Sequence, residues 1–149
     1  MLKLDETDLK ILDVLKDNSK LSTSKLSKKT GIPITTVFNR IKKLEREKII
    51  RKYTINVDEK RLGKLLTAYI VIHYDISVWD KESTRGELRH QLLSLPNVEE
   101  IKYISGRFDI LLKVCIKDMD ELNSLILGKL RKIPGIGQTE TFFVMEDVK

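Results

Sequence analysis

The sequence predicts an α+β chain: an N-terminal winged helix-turn-helix of three helices, followed by a C-terminal ferredoxin-like β-α-β-β-α-β sandwich. Apolar residues at helical spacing in the first third of the chain predict the helices. Strand- and helix-patterned segments that alternate in the second part predict the sandwich. The predicted ranges are 1–52 for the helix-turn-helix, 53–64 for a strand and linker, and 65–149 for the ferredoxin-like domain.

Capping residues and apolar spacing locate the first two helices. A first helix is predicted over residues 6–16, where Asp5 and Asp8 match the spacing of a capping box. Ser22 suits the N-cap of a short second helix, which Gly31 ends as a residue that tolerates a left-handed backbone.

The third helix is predicted to have two contrasting faces. It starts at Pro33, where the missing N–H costs little, and buries Val37, Ile41 and Leu44. Its opposite face carries short polar side chains and then cations, an arrangement typical of a helix that enters the DNA major groove. The candidates for contacts to base edges are Thr35, Thr36 and Asn39.

Positive charge is concentrated in the first part of the chain. Residues 1–62 carry 16 Lys and Arg against nine Asp and Glu, whereas residues 63–149 carry 12 against 13. This asymmetry indicates that one end meets a polyanion, with a solvated lysine-rich surface as the alternative on charge alone. The candidates for contacts to phosphates are Lys25, Lys28, Lys29, Arg40, Lys42, Lys43, Arg51 and Lys52.

A strand is predicted after the third helix. Tyr53, Ile55 and Val57 alternate with polar residues over positions 50–57, and the strand could be a wing or could pair with a second copy of the chain. The polar segment 58–63 is predicted to be a linker.

The second part of the chain contains an internal repeat. Leu95–Val98 and Ile133–Ile136 each end a helix-patterned stretch and open a strand. Further strands are predicted over residues 67–76 and 108–116, and Asp118–Glu121 matches a capping box. Two helices on one face of such a sheet leave the other face open. Because the strands are rich in apolar residues, we expect homodimerisation through that face.

The loop over residues 104–109 is the candidate ligand site of the second domain. Gly106 lies in its turn, and Asp109 could bond turn amides. Alternatively, Asp109 could hold the ammonium of a small ligand, with hydroxyls supplied by Thr139 and Thr141 of the last strand.

Composition and motifs argue against several classes. No apolar run approaches the ~18 residues of a membrane span, no signal-peptide core is present, and the single Cys115 excludes an intrachain disulfide. His73 and His90 have no companion metal ligands at suitable spacing, and we find no catalytic constellation. We therefore expect a cytoplasmic protein that is not an enzyme and needs no cofactor or metal.

The ordered set of segments resembles the Lrp/AsnC (leucine-responsive, feast/famine) transcriptional regulators over essentially the whole chain. Leu4–Leu12 is similar to the family's first helix, Thr36–Glu45 to its recognition helix, and Lys48–Arg51 to the exit into its wing. Ser105–Asp109 occupies the place of its Gly-Asp-Tyr-Asp effector turn.

The resemblance implies dimers paired through the C-terminal sheets, often assembled into octamers, with free amino acids bound between C-terminal domains at dimer–dimer contacts. Carried over by position, the effector residues would be Gly106, Arg107, Asp109, Thr139 and Thr141.

The sequence departs from the family pattern in two regions. Arg107 and Phe108 replace the usual Asp and Tyr of the effector turn, so the effector could be acidic or absent. Pro33 replaces the usual Ser before the recognition helix, which removes a cap, and Lys48 replaces the usual Gly after it.

The function predicted is therefore a sequence-specific DNA-binding transcriptional regulator modulated by a small amino-acid-like effector. Its partners would be double-stranded DNA and further copies of the chain. Two alternatives remain open: a weakly specific architectural chromatin protein, which would use the same cations, and an enzyme resembling sirohaem decarboxylases, which share this two-domain plan.

Overall fold

The computed structural model describes residues 4–75, 77 and 82–147, and for residues 82–85 it describes the backbone only. The chain divides into two compact units, Met1–Asn56 and Val57–Lys149. The first unit carries three helices, and the second carries a four-stranded antiparallel sheet with helical segments. The predicted α+β fold class is confirmed. No helix of the described ranges combines the length and the apolarity that crossing a membrane requires.

The first unit is built from α1 (Glu6–Asp17), α2 (Thr23–Thr30) and α3 (Ile34–Arg46). Their apolar stripes meet in one small core, because residues three and four positions apart share a helix face. The buried members of this core are Ile11, Leu15, Leu26 and Val37, with Val14, Leu21, Ile32, Ile41 and Ile50 packed around them.

The helix starts and stops follow local chemistry. Asp5 Oδ1 accepts from the Asp8 backbone N–H at 2.9 Å, and Asp8 Oδ2 accepts from the Asp5 N–H at 3.3 Å, so the predicted capping box is confirmed. Ser22 Oγ accepts from the Lys25 N–H at 3.3 Å at the start of α2. Gly31 ends α2 with a left-handed φ of 73°. Both signals were predicted from the sequence.

The strand predicted over residues 50–57 is wrong for the single chain. Residues 51–58 form neither helix nor strand, and Ile55 is 82% exposed. A strand needs a neighbour for its backbone N–H and C=O groups, and no described residue of the first unit forms a strand. The alternative, pairing with a second copy, stays a prediction.

The second unit contains one antiparallel sheet in the order β2-β3-β1-β4. Its strands are β1 (Leu66–Tyr74), β2 (Val98–Tyr103), β3 (Ile110–Ile116) and β4 (Ile136–Phe143). The two repeat motifs do open strands, as predicted, since β2 and β4 begin at their last residues. Residue 76, predicted to end the first strand, lies outside the described residues.

Two helical stretches cover one face of the sheet. They are α4 (Glu82–Leu93) and a segment that starts as α5 (Met119–Asn123), continues as π-helix over Ser124–Lys129 and ends as a 3-10 turn, Leu130–Lys132. The core between them and the sheet consists mainly of Ile70, Ile72, Ile110, Leu112, Leu88, Leu92, Leu122, Leu125 and Leu130.

The capping box predicted at the start of α5 is only half formed. Asp118 Oδ1 accepts from the Glu121 N–H at 2.9 Å. The Glu121 carboxylate does not return a bond to Asp118 but accepts from the Lys117 N–H at 2.6 Å and from Asn97 Nδ2 at 2.7 Å. Glu121 therefore ties the helix start to the turn before β2, a long-range partner that local spacing does not reveal.

Candidate nucleic-acid interface and effector turn

Helix α3 presents one buried and one exposed face, as predicted. Val37 and Leu44 are fully buried. Thr36 is only partly exposed and lies on the same flank of α3 as Arg40 and Lys43, which are partly exposed too. The exposed positions are Ile34, Thr35, Phe38, Asn39, Lys42 and Arg46.

Two of these exposed residues were missed by the sequence reasoning. Ile34 is 47% exposed and Phe38 is 50% exposed, although apolar residues on a helix are usually assigned to its core stripe. Their spacing of four residues places them side by side, outside the stripe of Val37 and Leu44. That offset from the stripe is the sequence signal that could have identified them.

Two of the predicted phosphate ligands are engaged within the first unit. Arg40 Nη1 bonds Asp8 Oδ1 at 3.1 Å and also bonds Asp5, while Lys43 Nζ lies 3.5 Å from Asp8 Oδ2. The Asp8 backbone N–H and Arg40 hold the pKa of Asp5 below its usual value, and the carboxylates raise the pKa of Arg40. These cations neutralise the fully buried Asp8 and join α3 to α1.

The C-terminal part of α3 contacts the segment that follows it. The Tyr53 hydroxyl donates to Glu45 Oε1 at 2.9 Å, and Lys42 Nζ lies 3.2 Å from Glu45 Oε2. The hydrogen bond from Tyr53, together with Lys42, lowers the pKa of Glu45. Burial and the bond to Glu45 raise the pKa of Tyr53 to about 12. This contact fixes the chain where it leaves the helix.

The remaining predicted phosphate ligands are exposed. Within the described part of the chain, Lys25, Lys28, Arg51 and Lys52 carry no ion pair. Lys29 pairs with an exposed carboxylate, Asp17, at 3.2 Å, an interaction that solvent weakens. With Lys42, whose pair with Glu45 is also open to solvent, six cations are thus available for a polyanion without breaking a buried contact.

In the second unit, Asp109 does bond a backbone amide, but not one of its own turn. Its Oδ2 accepts from the N–H of Tyr74 in β1 at 2.8 Å and lies 3.3 Å from His73 Nδ1. Gly106 has a φ of 144°, which L side chains rarely adopt, so the glycine is required by the turn itself. The Asp109 side chain is partly exposed, and its contacts with Tyr74 and His73 both involve Oδ2.

Arg107 extends from the turn towards the last strand. Its Nη2 lies 3.3 Å from Glu140 Oε1, and its guanidinium lies 5.3 Å from the centre of the Phe108 ring. The cation is still well exposed, so the pair with Glu140 is weak and can open.

The structure does not bring all the predicted effector residues together within one chain. Thr139 lies opposite Ile72, and Thr141 lies opposite Ile70. Residues opposite each other in antiparallel strands share a face, so both threonines are on the helix-covered side with these buried isoleucines. Asp109 contacts the exposed His73 on the open side.

The open face of the sheet is less apolar than expected. Val71 and Leu111 face each other at its centre, and Tyr69 lies between Phe142 and Lys113. Lys113 forms an ion pair with Glu99 at 3.0 Å. The face therefore has an apolar centre within a charged surround, a pattern typical of protein interfaces.

The groups tested for other chemistry have structural surroundings. Cys115 is buried, and burial raises the pKa of its thiol, which makes it a poor nucleophile. Among the described residues, no three His, Cys, Asp or Glu side chains are placed to hold a metal ion.

Both units match known protein families. A model described as the Lrp/AsnC ligand binding domain matches residues 67–149, and one described as winged helix-turn-helix DNA-binding matches residues 4–51. An uncharacterised HTH-type transcriptional regulator of Pyrococcus horikoshii is 41% identical over 146 residues, covering 98% of this chain and 95% of that protein. The leucine-responsive regulatory protein of Haemophilus influenzae is 35% identical, covering 98% of this chain and 86% of that protein.

Solved structures show the same architecture over the whole chain. A transcriptional regulator of Neisseria meningitidis in complex with L-Met has a TM-score of 0.88 at 26% identity, covering 99% of this chain and 93% of that one. AsnC of E. coli has a TM-score of 0.81 at 27% identity, covering 99% of this chain and 96% of that one. On these matches, the chain belongs to the Lrp/AsnC family of transcriptional regulators.

Proposed function

We propose that this transcriptional regulator binds DNA sequence-specifically as a dimer that presents two copies of α3 to one face of the duplex. The observation that supports this most directly is the exposed face of α3, where Thr35 and Asn39 precede Lys42 and Arg46. Hydroxyls and an amide suit base edges, and cations further along the helix suit the phosphates on either side of the groove. Half-sites would lie about 34 Å, or a multiple of it, apart.

Replacement of Asn39 by Ala tests the base-reading role. A bound site is first selected from random DNA, and the affinity of each variant is then measured for that site and for unrelated DNA. We expect Asn39→Ala to lose about 1–3 kcal/mol on the selected site and little on unrelated DNA. Asn123→Ala, which removes an exposed asparagine from the second unit, serves as the matched control. Equal losses on both DNAs would contradict the assignment.

The phosphate contacts predict a salt dependence. If a dimer neutralises about 6 to 8 phosphates, the logarithm of the binding constant falls with the logarithm of salt concentration with a slope of about −5 to −7. Competition between selected and random DNA separates the architectural alternative, because such a protein would bind both with nearly equal affinity. The comparisons do not support the enzyme alternative, because the relatives described above are named as regulators.

We further propose that the second unit binds a free amino acid or a similar small amine. The ligand-binding description of this domain and the L-Met complex of the Neisseria protein support this class of ligand. Asp109 Oδ1 would accept from the ligand's ammonium, while Oδ2 keeps its bond to Tyr74. Because Thr139 and Thr141 face the other side of the sheet, they would contact the ligand only from a neighbouring copy.

Calorimetry with each of the twenty amino acids tests the effector site. We expect heat with at least one of them, and a coupling to DNA affinity of about 1–3 kcal/mol. Asp109→Asn should abolish that heat, since it removes the charge while keeping an oxygen for the Tyr74 N–H. Absence of heat with all twenty, or unchanged binding by Asp109→Asn, would leave Asp109 as a purely structural acceptor.

A further inference from the structure

We propose that Ile34 and Phe38 form an apolar subsite that reads the 5-methyl group of thymine in the major groove. The inference rests on the proposed DNA-binding function, and it assigns a base preference to two residues that the sequence reasoning did not include. We call these two residues the apolar pair.

The apolar pair lines a shallow groove at the start of α3. The groove has a volume of about 290 Å³ and is lined by Thr23, Ile34, Thr35, Phe38 and Asn39. Thr23 is the first residue of α2, so the groove lies between the N-terminal ends of the two helices of the helix-turn-helix. In this motif the N-terminal residues of the second helix are the ones that reach base edges.

The position of Phe38 next to Asn39 gives the pair access to the same bases. The two residues are neighbours in sequence on the exposed side of α3, and around the helix axis Phe38 lies between Ile34 and Thr35. A duplex that brings a base edge to Asn39 therefore brings the adjacent base pair to the apolar pair. The protein does not cover this pair itself, since both side chains are about half exposed.

The charges around the pair favour DNA as the occupant over an apolar surface of another protein. Lys42 Nζ lies 6.0 Å from the centre of the Phe38 ring, and Arg46 follows one turn further along the same face. Lys25 and Lys28 on α2 are exposed and unpaired within the described part of the chain. An apolar patch with Lys42 beside it and Arg46 one turn further along matches a polyanion that carries an apolar group.

Thymine is the base that supplies such a group. In the major groove it exposes a 5-methyl group, whereas the other bases present hydrogen-bond donors and acceptors at their edges. Burial of one methyl group against the pair should change affinity about fourfold. Because a dimer would carry two copies of the subsite, removal of the methyl from both half-sites should change affinity about sixteenfold.

Replacement of thymine by uracil tests this directly, since it removes the 5-methyl group and leaves base pairing intact. The experiment uses the full chain and a site selected from random DNA, with uracil introduced at each thymine position in turn. We expect wild-type affinity to fall about fourfold at one position in each half-site. Phe38→Ala should bind the thymine and uracil forms of that position equally well.

Three controls test whether the change in sensitivity to uracil comes from loss of the apolar side chain at position 38. Phe38→Leu should retain the sensitivity to uracil, because it keeps an apolar side chain at this position. Leu9→Ala, which truncates another half-exposed apolar residue of the first unit, should respond to uracil as wild type does. A thermal unfolding curve of Phe38→Ala close to that of wild type shows that the fold is intact.

Two results would overturn the inference. Wild-type affinity could be indifferent to uracil at every position, or Phe38→Ala could keep the full wild-type sensitivity. Failure of the proposed function itself gives a different result, because no selected site would then be preferred over random DNA and the uracil series would not begin.

Discussion

At the scale of single residues, Lys48 has an unusual backbone conformation. Its φ is 56°, in the left-handed region that favours glycine. It follows α3, and its N–H donates to the Glu45 carbonyl at 3.0 Å, so the position is held by the end of the helix. The lysine that replaces the usual glycine of the family therefore strains the backbone at this turn.

Lys48→Gly should raise the free energy of unfolding by about 1 kcal/mol, because it relieves a left-handed backbone at a non-glycine residue. Denaturant titration followed by circular dichroism measures the change. Lys52→Gly removes a nearby charge at a residue without a positive φ, so it should not stabilise the chain. Equal effects of the two variants would show that charge, and not strain, is responsible.

The contact between Tyr53 and Glu45 predicts a pH dependence. The pKa of Tyr53 rises from 10.0 to about 12 in the folded chain. Because the folded pKa lies above the unfolded one, its contribution to stability is complete below pH 10.0 and is lost as the pH rises towards 12. The difference in unfolding free energy between wild type and Tyr53→Phe should shrink across that interval. A difference that stays constant would show that the phenol is not perturbed.

The exposure of candidate site residues could be predicted only where the period of a single helix determines which way each side chain points. The period of α3 correctly placed Thr35 and Asn39 on its exposed face. It could not show that Arg40 and Lys43 are engaged, because their partner, Asp8, belongs to a different helix. For the same reason, the bond of Asp109 to Tyr74 in another strand could not be read from the turn sequence.

At the scale of secondary-structure elements, α1 and α3 are joined through charge as well as through apolar packing. Asp8 is fully buried, and it both caps α1 and pairs with Arg40 and Lys43 of α3. The two cations and a backbone N–H offset the cost of burying this carboxylate, because they replace the hydration that it loses.

Asp8→Asn should lower the free energy of unfolding by about 1–3 kcal/mol, less than for a fully buried pair because the two cations are partly exposed. It should also release Lys43 and steepen the salt dependence of DNA binding by about 0.9 per chain. Asp13→Asn removes an exposed carboxylate of α1 that pairs weakly with Lys16 at 3.7 Å, and it should change neither quantity appreciably. Equal effects of both variants would contradict the role of Asp8.

Elements with local signals were predicted well, and those that depend on distant partners were not. The capping residues Asp5, Ser22 and Gly31 act within a few positions of themselves, so spacing alone identified the helices. A strand over residues 50–57 needs a neighbour that alternation cannot supply. The π-helical turn Ser124–Lys129 also went unnoticed, because its apolar residues still match a helical period.

At the scale of the whole molecule, the open face of the sheet is the surface that we expect to pair two chains. Phe142 is 53% exposed and lies opposite Tyr69 on this face. In a two-fold interface each residue occurs twice, so a charge introduced there is repeated on the partner.

Phe142→Glu should weaken dimerisation about a hundredfold or more, because it places like charges in an apolar contact. DNA affinity should fall with it, since two linked reading helices become separate. Analytical ultracentrifugation over a range of concentrations measures the first effect. Leu127→Glu alters a residue of similar exposure, 56%, on a helical segment and should leave the dimer intact. A dimer that survives Phe142→Glu would place the interface elsewhere.

If the proposed amino-acid site is correct, the opposite orientation of Asp109 and the two threonines of β4 has a consequence for how the ligand binds. A ligand held by both groups would contact two separate chains. The fraction of sites occupied would therefore depend on the concentration of the protein as well as on that of the ligand. The apparent affinity of the protein for the ligand would rise with protein concentration and fall on dilution. The number of copies of the protein in the cell would then help to set the ligand concentration at which it responds.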